Sequence, residues 1–438
     1  MSELKTGVGR VDITPPIGIR MQGYAARTHG AIGIHDRLEA TAIAFDDGNN
    51  RIAIVTCDLV GLDRTSVRKS RRIASEICGI DPNAVMISCS HTHGGPAIGR
   101  RSYVEAEKQY LHILERQIAT SVALAVGDLR NSKIFVGKGS INIGVNRRLL
   151  TETGMVIGVN PDGPIDPDVA VLRIDDESGR TRALLFSHSC HGTTLGGDNY
   201  QITADYVGYA RRTIEGALRE DGTISSFVNG AAGNINPHPR GTYELARAHG
   251  IALAAEAIRA SQAAQEAEEP AILHHEVETV LPLSEPPPLE EIEAGLRDLQ
   301  EELQSKESKG IHAPGPRAQV LWREEMKRRI QKGSVKDGIR VRIQAVRIGP
   351  MAIVGIPGEV FVEIGRGIKE ESPFAHNIVA GYTNGSFGYI PTAQAFEEGG
   401  YEPNSHVYLL EQKFSPNVGE IARKASMDAL RALASEGA

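Results

Sequence analysis

The sequence predicts an α/β domain with a layered α/β/α mixed sheet, chemistry-bearing loops at the strand ends and a helical-hairpin insertion. Three observations predict it. Short apolar runs recur along the chain. Stretches of helical length separate several of them. Small-residue turns holding histidine, glutamate or tyrosine follow four of the runs.

In chain order the strand runs are Ala42-Ile43-Ala44-Phe45, Ile52-Ala53-Ile54-Val55, Val85-Met86-Ile87, Val169-Ala170-Val171-Leu172, Ala183-Leu184-Leu185-Phe186, Val341-Arg342-Ile343, Met351-Ala352-Ile353-Val354 and Asn377-Ile378-Val379-Ala380. Each is short, apolar and bounded by turn formers, as a buried strand requires. The helices between them are Ser66 to Ile80, Ala106 to Gly127, Tyr206 to Leu218, Leu245 to Ala264 and Val418 to Ala434. Ser284-Glu285-Pro286-Pro287-Pro288 then makes a stiff break. After it, Leu289, Ile292, Leu296, Leu299 and Leu303 step by three and four residues, which places them on one helix face. A Gly/Pro turn over 306–316 leads to a basic helix from Ala318 to Gln331. Acidic and basic helices of this kind pair as an αα-hairpin. The expectation is one catalytic domain over 1–438, with the hairpin inserted over 287–335 as a surface element, a lid or a dimer contact.

The 438 residues are enough to bury a sizeable core. Net charge is −7 and no long basic run occurs, which argues against nucleic acid or an anionic membrane as partner. No stretch approaches the roughly 18 consecutive apolar residues of a membrane span, so no transmembrane segment is expected. Met1 to Gly7 lacks the apolar core of a secretory signal. The four cysteines are too scattered for a disulfide framework, and a cytoplasmic setting is the simplest expectation. Cys57, Cys89 and Cys190 lie in or just after apolar runs and read as buried small hydrophobes. Nothing in the composition excludes a homo-oligomer.

The run Ser88-Cys89-Ser90-His91-Thr92-His93-Gly94-Gly95-Pro96 follows the strand at Val85. Imidazole is the commonest metal-binding side chain near neutral pH. Two histidines at a strand end therefore suggest half a metal site, although a surface turn would read the same. Three other strand ends carry matching turns: Ser187 to Thr194 with His188 and His191, Gly355 to Glu359, and Gly381 to Tyr389. Two neutral imidazoles and a carboxylate are a known zinc set that leaves one position open. His188 reads as a core histidine. The turn Asn229-Gly230-Ala231-Ala232-Gly233-Asn234-Ile235-Asn236-Pro237 suits a tight loop beside a ligand. Arg147 and Arg148 offer forks suited to an oxyanion, but taken alone they read as a solvated pair.

Together these segments resemble the catalytic N-terminal domain of the neutral/alkaline non-lysosomal ceramidase family. The resemblance runs through Gly7-Val8-Gly9-Arg10-Val11-Asp12-Ile13-Thr14-Pro15-Pro16, Gly33 to Leu38, His91 to Pro96, Asn146 to Arg148 and Asn160 to Asp166. It continues through His191 to Thr194, Ile202 to Tyr206, Pro357 to Phe361 and Gly388 to Thr392. It implies one catalytic zinc per chain, with His91, His191, Glu359 and Tyr389 as ligands and with His93 and Arg147 beside them. It also implies cleavage of the amide of an N-acyl amine or N-acyl sphingoid substrate by zinc-bound water. In that scheme His93 moves the proton, Asp205 orients His191, and Tyr389 and Arg147 stabilise the oxyanion.

Three departures from the family pattern stand out. Its Gly-Asp-Val-Ser-Pro-Asn run is here Gly233-Asn234-Ile235-Asn236-Pro237-His238, so Asn236 replaces an active-site serine. Asparagine is no hydroxyl nucleophile but can donate to an oxyanion. No immunoglobulin-like domain is expected after Tyr389, and no export signal is expected. A zinc hydrolase of a different small ester or polar amide, and a catalytically inactive metal-binding protein, are the alternative readings. A TIM-barrel amidohydrolase ranks lower, because eight regular βα units are not visible.

Overall fold

In the computed structural model, residues 4–219, 222–268 and 271–436 are described. The strands of the larger sheet are β1 (Lys5–Asp12), β2 (Glu39–Asp46), β3 (Arg51–Cys57), β4 (Val85–Cys89), β5 (Arg130–Ser140), β6 (Asp168–Asp176), β7 (Thr181–His188) and β8 (Ile224–Asn229). They lie in the order β8-β7-β6-β5-β1-β2-β3-β4, with the short Gln265–Glu266 strand paired to β5. A second sheet holds β9 (Ile272–Pro282), β10 (Gly338–Ile348), β11 (Met351–Gly355) and β12 (His376–Ala380), in that order. The main helices are α1 (Arg64–Cys78), α2 (Lys108–Gly127), α3 (Asp205–Ala217), α4 (Tyr243–Gln262), α5 (Leu289–Glu307), α6 (Pro314–Gln331), α7 (Val362–Glu371) and α8 (Val418–Glu436).

The mixed α/β class is as the sequence predicts, and every strand and helix named from it is present. The layering carries one sheet more than the α/β/α order, and runs α/β/β/α. Period-2 alternation shows why. Ile52 and Ile54 of β3 pack with Val346, Ile348, Ile353 and Ile378 of the second sheet. Ala53 and Val55, on the opposite face of β3, pack with Val67 of α1 and Ile118 of α2. The outer face of β11, through Ala352 and Val354, packs on Ile364 of α7 and Leu430 of α8. Strands buried on both faces are continuously apolar, so sequence alone does not say which layer covers each face.

The helical hairpin is also present, as α5 and α6. It connects β9 to β10, which pair in antiparallel register from Ile272↔Ile348 to Pro282↔Gly338. The acidic and basic helices are joined by Lys327–Glu293 at 2.7 Å.

Within the two main sheets three strand pairs among the described residues are parallel: β3 with β4, β7 with β8, and β11 with β12. Loops leaving the carboxyl ends of parallel strands are where ligands bind in open α/β sheets. The larger sheet coils so that its two ends approach. Thr56 Oγ1 and Ser226 Oγ lie 2.9 Å apart, and Asn229 Nδ2 donates to the Ser90 carbonyl at 3.0 Å. The second sheet joins them, as Cys89 N donates to the Tyr382 carbonyl and Asn384 N to the Ile87 carbonyl. All three parallel pairs thus deliver their loops to one place. No described helix is long and apolar enough to cross a membrane.

Candidate metal centre

Each parallel pair contributes in the same way: one strand supplies a donor and its neighbour's loop supports it. After β4 comes His91, whose Nδ1 lies 2.5 Å from the carbonyl of Val60 in the loop after β3. After β7 comes His191, whose Nδ1 lies 2.6 Å from the carbonyl of Ala232 in the loop after β8. A carbonyl oxygen only accepts, so both Nδ1 atoms carry the hydrogen and both Nε2 atoms present lone pairs. After β11 comes Glu359, paired across a short parallel bridge with Tyr389 in the loop after β12.

These donors converge. The Nε2 atoms of His91 and His191 each lie 3.3 Å from Glu359 Oε2. His93 Nε2 lies 3.2 Å from His91 Nε2, and the ligating atoms of the three histidines fall within 4.8 Å of one another. His191 Nε2 and Glu359 Oε2 are buried without a hydrogen-bond partner. Leaving such groups unsatisfied costs about 1–3 kcal/mol each. Burial, then the Arg147 charge, pushes the His191 imidazole down to about 3, so it is neutral with its lone pair free. Two imidazole Nε2 atoms facing a carboxylate in a buried site are the donor set of a divalent cation, and the residues present fit zinc.

Backbone strain helps fix the cluster. His91 and Tyr382 both adopt positive φ, 62° and 54°. Such conformations cost about 1–2 kcal/mol in a non-glycine residue. The two rings stack at 3.9 Å, which holds the His91 imidazole in plane. Glycine is required at 233, where a Cβ would lie 2.4 Å from the Glu359 carbonyl oxygen.

The turn Gly230–Asn236 is the scaffold of the site. Its Ala232 carbonyl orients His191, and its Asn234 carbonyl accepts from Arg147 N at 2.9 Å. The Asn234 side chain accepts from Val362 N at the start of α7 and donates to Glu363 Oε2, both at 2.9 Å. An ionised carboxylate cannot do both. Replacing Asn234 with Asp sets two carboxylates face to face, and a loss of about 1–3 kcal/mol in stability is expected in urea unfolding at pH 7.

Arg147 and Arg148 are buried, which corrects the solvated reading. Arg147 donates through Nε to Glu402 at 2.9 Å, through Nη1 to Asn236 Oδ1 at 3.1 Å and through Nη2 to the Tyr389 hydroxyl at 2.9 Å. Arg148 takes the other oxygen of Glu402 at 2.8 Å. Burial disfavours the Arg147 charge, but the Tyr389 and Glu402 oxygens outweigh it and hold the group firmly cationic. Asn236 Oδ1 also accepts from Thr193 Oγ1, which leaves its amide N–H groups to face the cleft. Burial raises the Tyr389 hydroxyl well above its ordinary value, which favours its proton-bearing form.

The structure thus brings His91, His93, Arg147, His191, Asn236, Glu359 and Tyr389 together. Asp205 does not orient His191. It begins α3 with its carboxylate accepting from Leu195 N and Tyr206 N, and the backbone carbonyl of Ala232 fills the role instead. His188 sits apart, its Nδ1 on the Asp168 carbonyl. Sequence reasoning missed Glu402, Thr193 and Tyr382. Glu402 lies 255 residues from Arg147, and only the buried arginines, had they been read as buried, would have called for an acid. A cleft of about 270 Å³ opens over the cluster, lined also by Tyr24, Tyr103, Tyr401, Tyr408, Ile157 and Leu409.

The chain is similar to known proteins over this same region. The model of the neutral/alkaline non-lysosomal ceramidase N-terminal domain matches residues 4–250, more than half the chain. The neutral ceramidase of Pseudomonas aeruginosa is 27% identical over 245 residues, covering 53% of this chain and 37% of that protein. Neutral ceramidase 2 of Arabidopsis thaliana is 30% identical over 224 residues, covering 48% of this chain and 29% of that protein. The matches thus span about a third of the length of these relatives. The crystal structure of the Pseudomonas aeruginosa enzyme superposes with a TM-score of 0.76 at 23% identity, over 100% of this chain and 75% of that one. A structure described as a ceramidase complexed with C2 gives a TM-score of 0.77 at 22% identity, over 100% and 76% of the two chains. The chain belongs to the neutral/alkaline non-lysosomal ceramidase family.

Proposed function

We propose that the protein is a zinc-dependent hydrolase that cleaves the C–N bond of a linear, ceramide-type amide. The observation that carries this reading is the facing set of His91, His191 and Glu359, with both imidazole Nε2 atoms 3.3 Å from Glu359 Oε2 and with His191 Nε2 and Glu359 Oε2 buried and unsatisfied, beside an open cleft. Similarity to the neutral ceramidases supports the amide as the bond broken.

His91, His191, Glu359 and Tyr389 would hold one zinc ion per chain. When bound, zinc supplies Lewis acidity and a water whose pKa falls to about 7. The chain's own residues do the rest. His93 Nε2 lies 3.2 Å from His91 Nε2 and the ring borders the cleft, so His93 takes the proton of the attacking water and returns it to the leaving nitrogen. Arg147, the Asn236 amide and the Tyr389 hydroxyl donate to the carbonyl oxygen as it gains charge. The C–N bond breaks, a C–O bond to the water oxygen forms, and the products are a carboxylic acid and an amine. Asn236 offers no nucleophile, so the direct attack of water is the route its chemistry allows.

Four unpaired cysteines, three of them buried, support a reducing, cytoplasmic setting. Exposed Leu150 and Val159, on the antiparallel hairpin formed by Gly144–Thr151 and Gly154–Asn160, support a homo-oligomeric contact.

The test is hydrolysis of a panel of N-acyl amines, ceramide included, with the released amine quantified before chelation, after chelation and after zinc is restored. Turnover that disappears on chelation and returns with zinc is expected. Full turnover by metal-free protein would overturn the reading.

A further inference from the structure

We propose that the substrate amide carries a carboxylate, as an N-acylated amino acid does, and that Arg101 and Arg240 bind it; this rests on the amidase reading above. Three guanidinium groups line the cleft, Arg101, Arg147 and Arg240, and they are not equivalent. Arg147 is committed to Glu402, Asn236 and Tyr389. Among the described residues, Arg101 and Arg240 have no carboxylate partner. Arg240 Nη2 donates to the Tyr24 hydroxyl at 3.0 Å, and Arg101 Nη1 donates to the Arg100 carbonyl at 2.9 Å. Most of the five N–H donors of each therefore have no protein partner and can turn to a ligand in the cleft. Elsewhere in the chain arginines half-buried like Arg101 meet acids, Arg10 with Glu215 and Arg71 with Glu276, whereas Arg240 is exposed at the cleft mouth.

Arg240 is also held in place. Tyr24 accepts from it and donates in turn to the Leu195 carbonyl at 2.7 Å. Behind Tyr24 lies buried Arg27, whose donors go to the backbone carbonyls of Gln22, His93 and Asn199, so no bonded acid offsets its charge. The one acidic side chain on the cleft wall is Glu359, which belongs to the metal set. A concave wall with several cations and one committed acid focuses positive potential, which favours a substrate that carries a negative charge. The planar guanidinium fork matches a carboxylate in geometry and charge.

The test compares N-decanoylglycine with N-decanoylethanolamine, which share the acyl chain and the amide and differ in carboxylate against hydroxyl. The glycine conjugate is expected to show a kcat/KM at least about tenfold higher. In the double variant Arg101→Gln/Arg240→Gln that ratio falls to about one, chiefly through KM. Equal kcat/KM in the wild type, or a preference that survives the double variant, overturns the proposal. Binding is read separately by calorimetry with the non-cleavable decanesulfonyl analogues of the two amines. Tighter binding of the carboxylate analogue, lost in the double variant, upholds the assignment even if no amide is turned over, and the amidase reading alone then fails. Equal affinities, or no binding of the carboxylate analogue, overturn the assignment.

Discussion

Replacing His191 with alanine is expected to lower amide-hydrolysis kcat/KM by about 10³–10⁴, the rate equivalent of several kcal/mol of lost transition-state stabilisation. The imidazole is completely buried, and its Nδ1 hydrogen is fixed on the Ala232 carbonyl, so no neighbouring side chain can swing in to replace it. The variant also opens a cavity and frees that carbonyl, so some stability is lost as well. Steady-state kinetics checks the effect, with far-ultraviolet circular dichroism as the control for folding. A folded variant that retains more than a tenth of wild-type kcat/KM would remove His191 from the site.

Replacing Arg147 with methionine should have the second-largest effect, on rate and on stability together. The side chain bridges Glu402 to the Tyr389 hydroxyl and Asn236, so its loss removes an oxyanion donor and loosens two others. One such donor is worth about 10²–10³ in kcat. The variant also leaves Glu402 buried with Arg148 as its remaining guanidinium partner, and breaking a buried ion pair costs about 3–5 kcal/mol. Denaturant unfolding reads the stability and kcat reads the chemistry. Arg147→Lys separates the two, because it keeps a charge near Glu402 but cannot reach three partners at once. It should recover stability more than rate. Equal recovery of both would make Arg147 a structural residue only.

Much of this site is legible in the sequence, for a physical reason. Buried strands must be apolar, and a loop that brings chemistry to a strand end must be built from small residues. The apolar run ending at Ile87 followed by His91-Thr92-His93-Gly94-Gly95 therefore announces itself, as do the runs before His191 and Glu359. What orients the histidines is not legible. The acceptors are the carbonyls of Val60 and Ala232, and a backbone carbonyl leaves no residue signature. Asp205 is an acid close to His191 in the chain, but the fold uses it to begin α3 instead. Glu402 escapes for a different reason: its segment carries no strand-end pattern, and its pairing with Arg147 and Arg148 exists only once the chain has folded. The second sheet is hidden because β10 and β11 read like any buried strands, and sequence does not say which sheet a strand joins.

The central claim is that His91, His191 and Glu359 hold the metal while His93, whose Nε2 lies 3.2 Å from His91 Nε2, stands outside the ligand set. Zinc per chain, measured by elemental analysis on the purified wild type and on His91→Ala, His93→Gln, His191→Ala and Glu359→Gln, tests it most directly. About one zinc per chain is expected in the wild type and in His93→Gln, with the His91 and His191 variants nearly empty and the Glu359 variant strongly depleted. Full occupancy in the His91 and His191 variants, or loss of zinc in His93→Gln, would contradict the assignment.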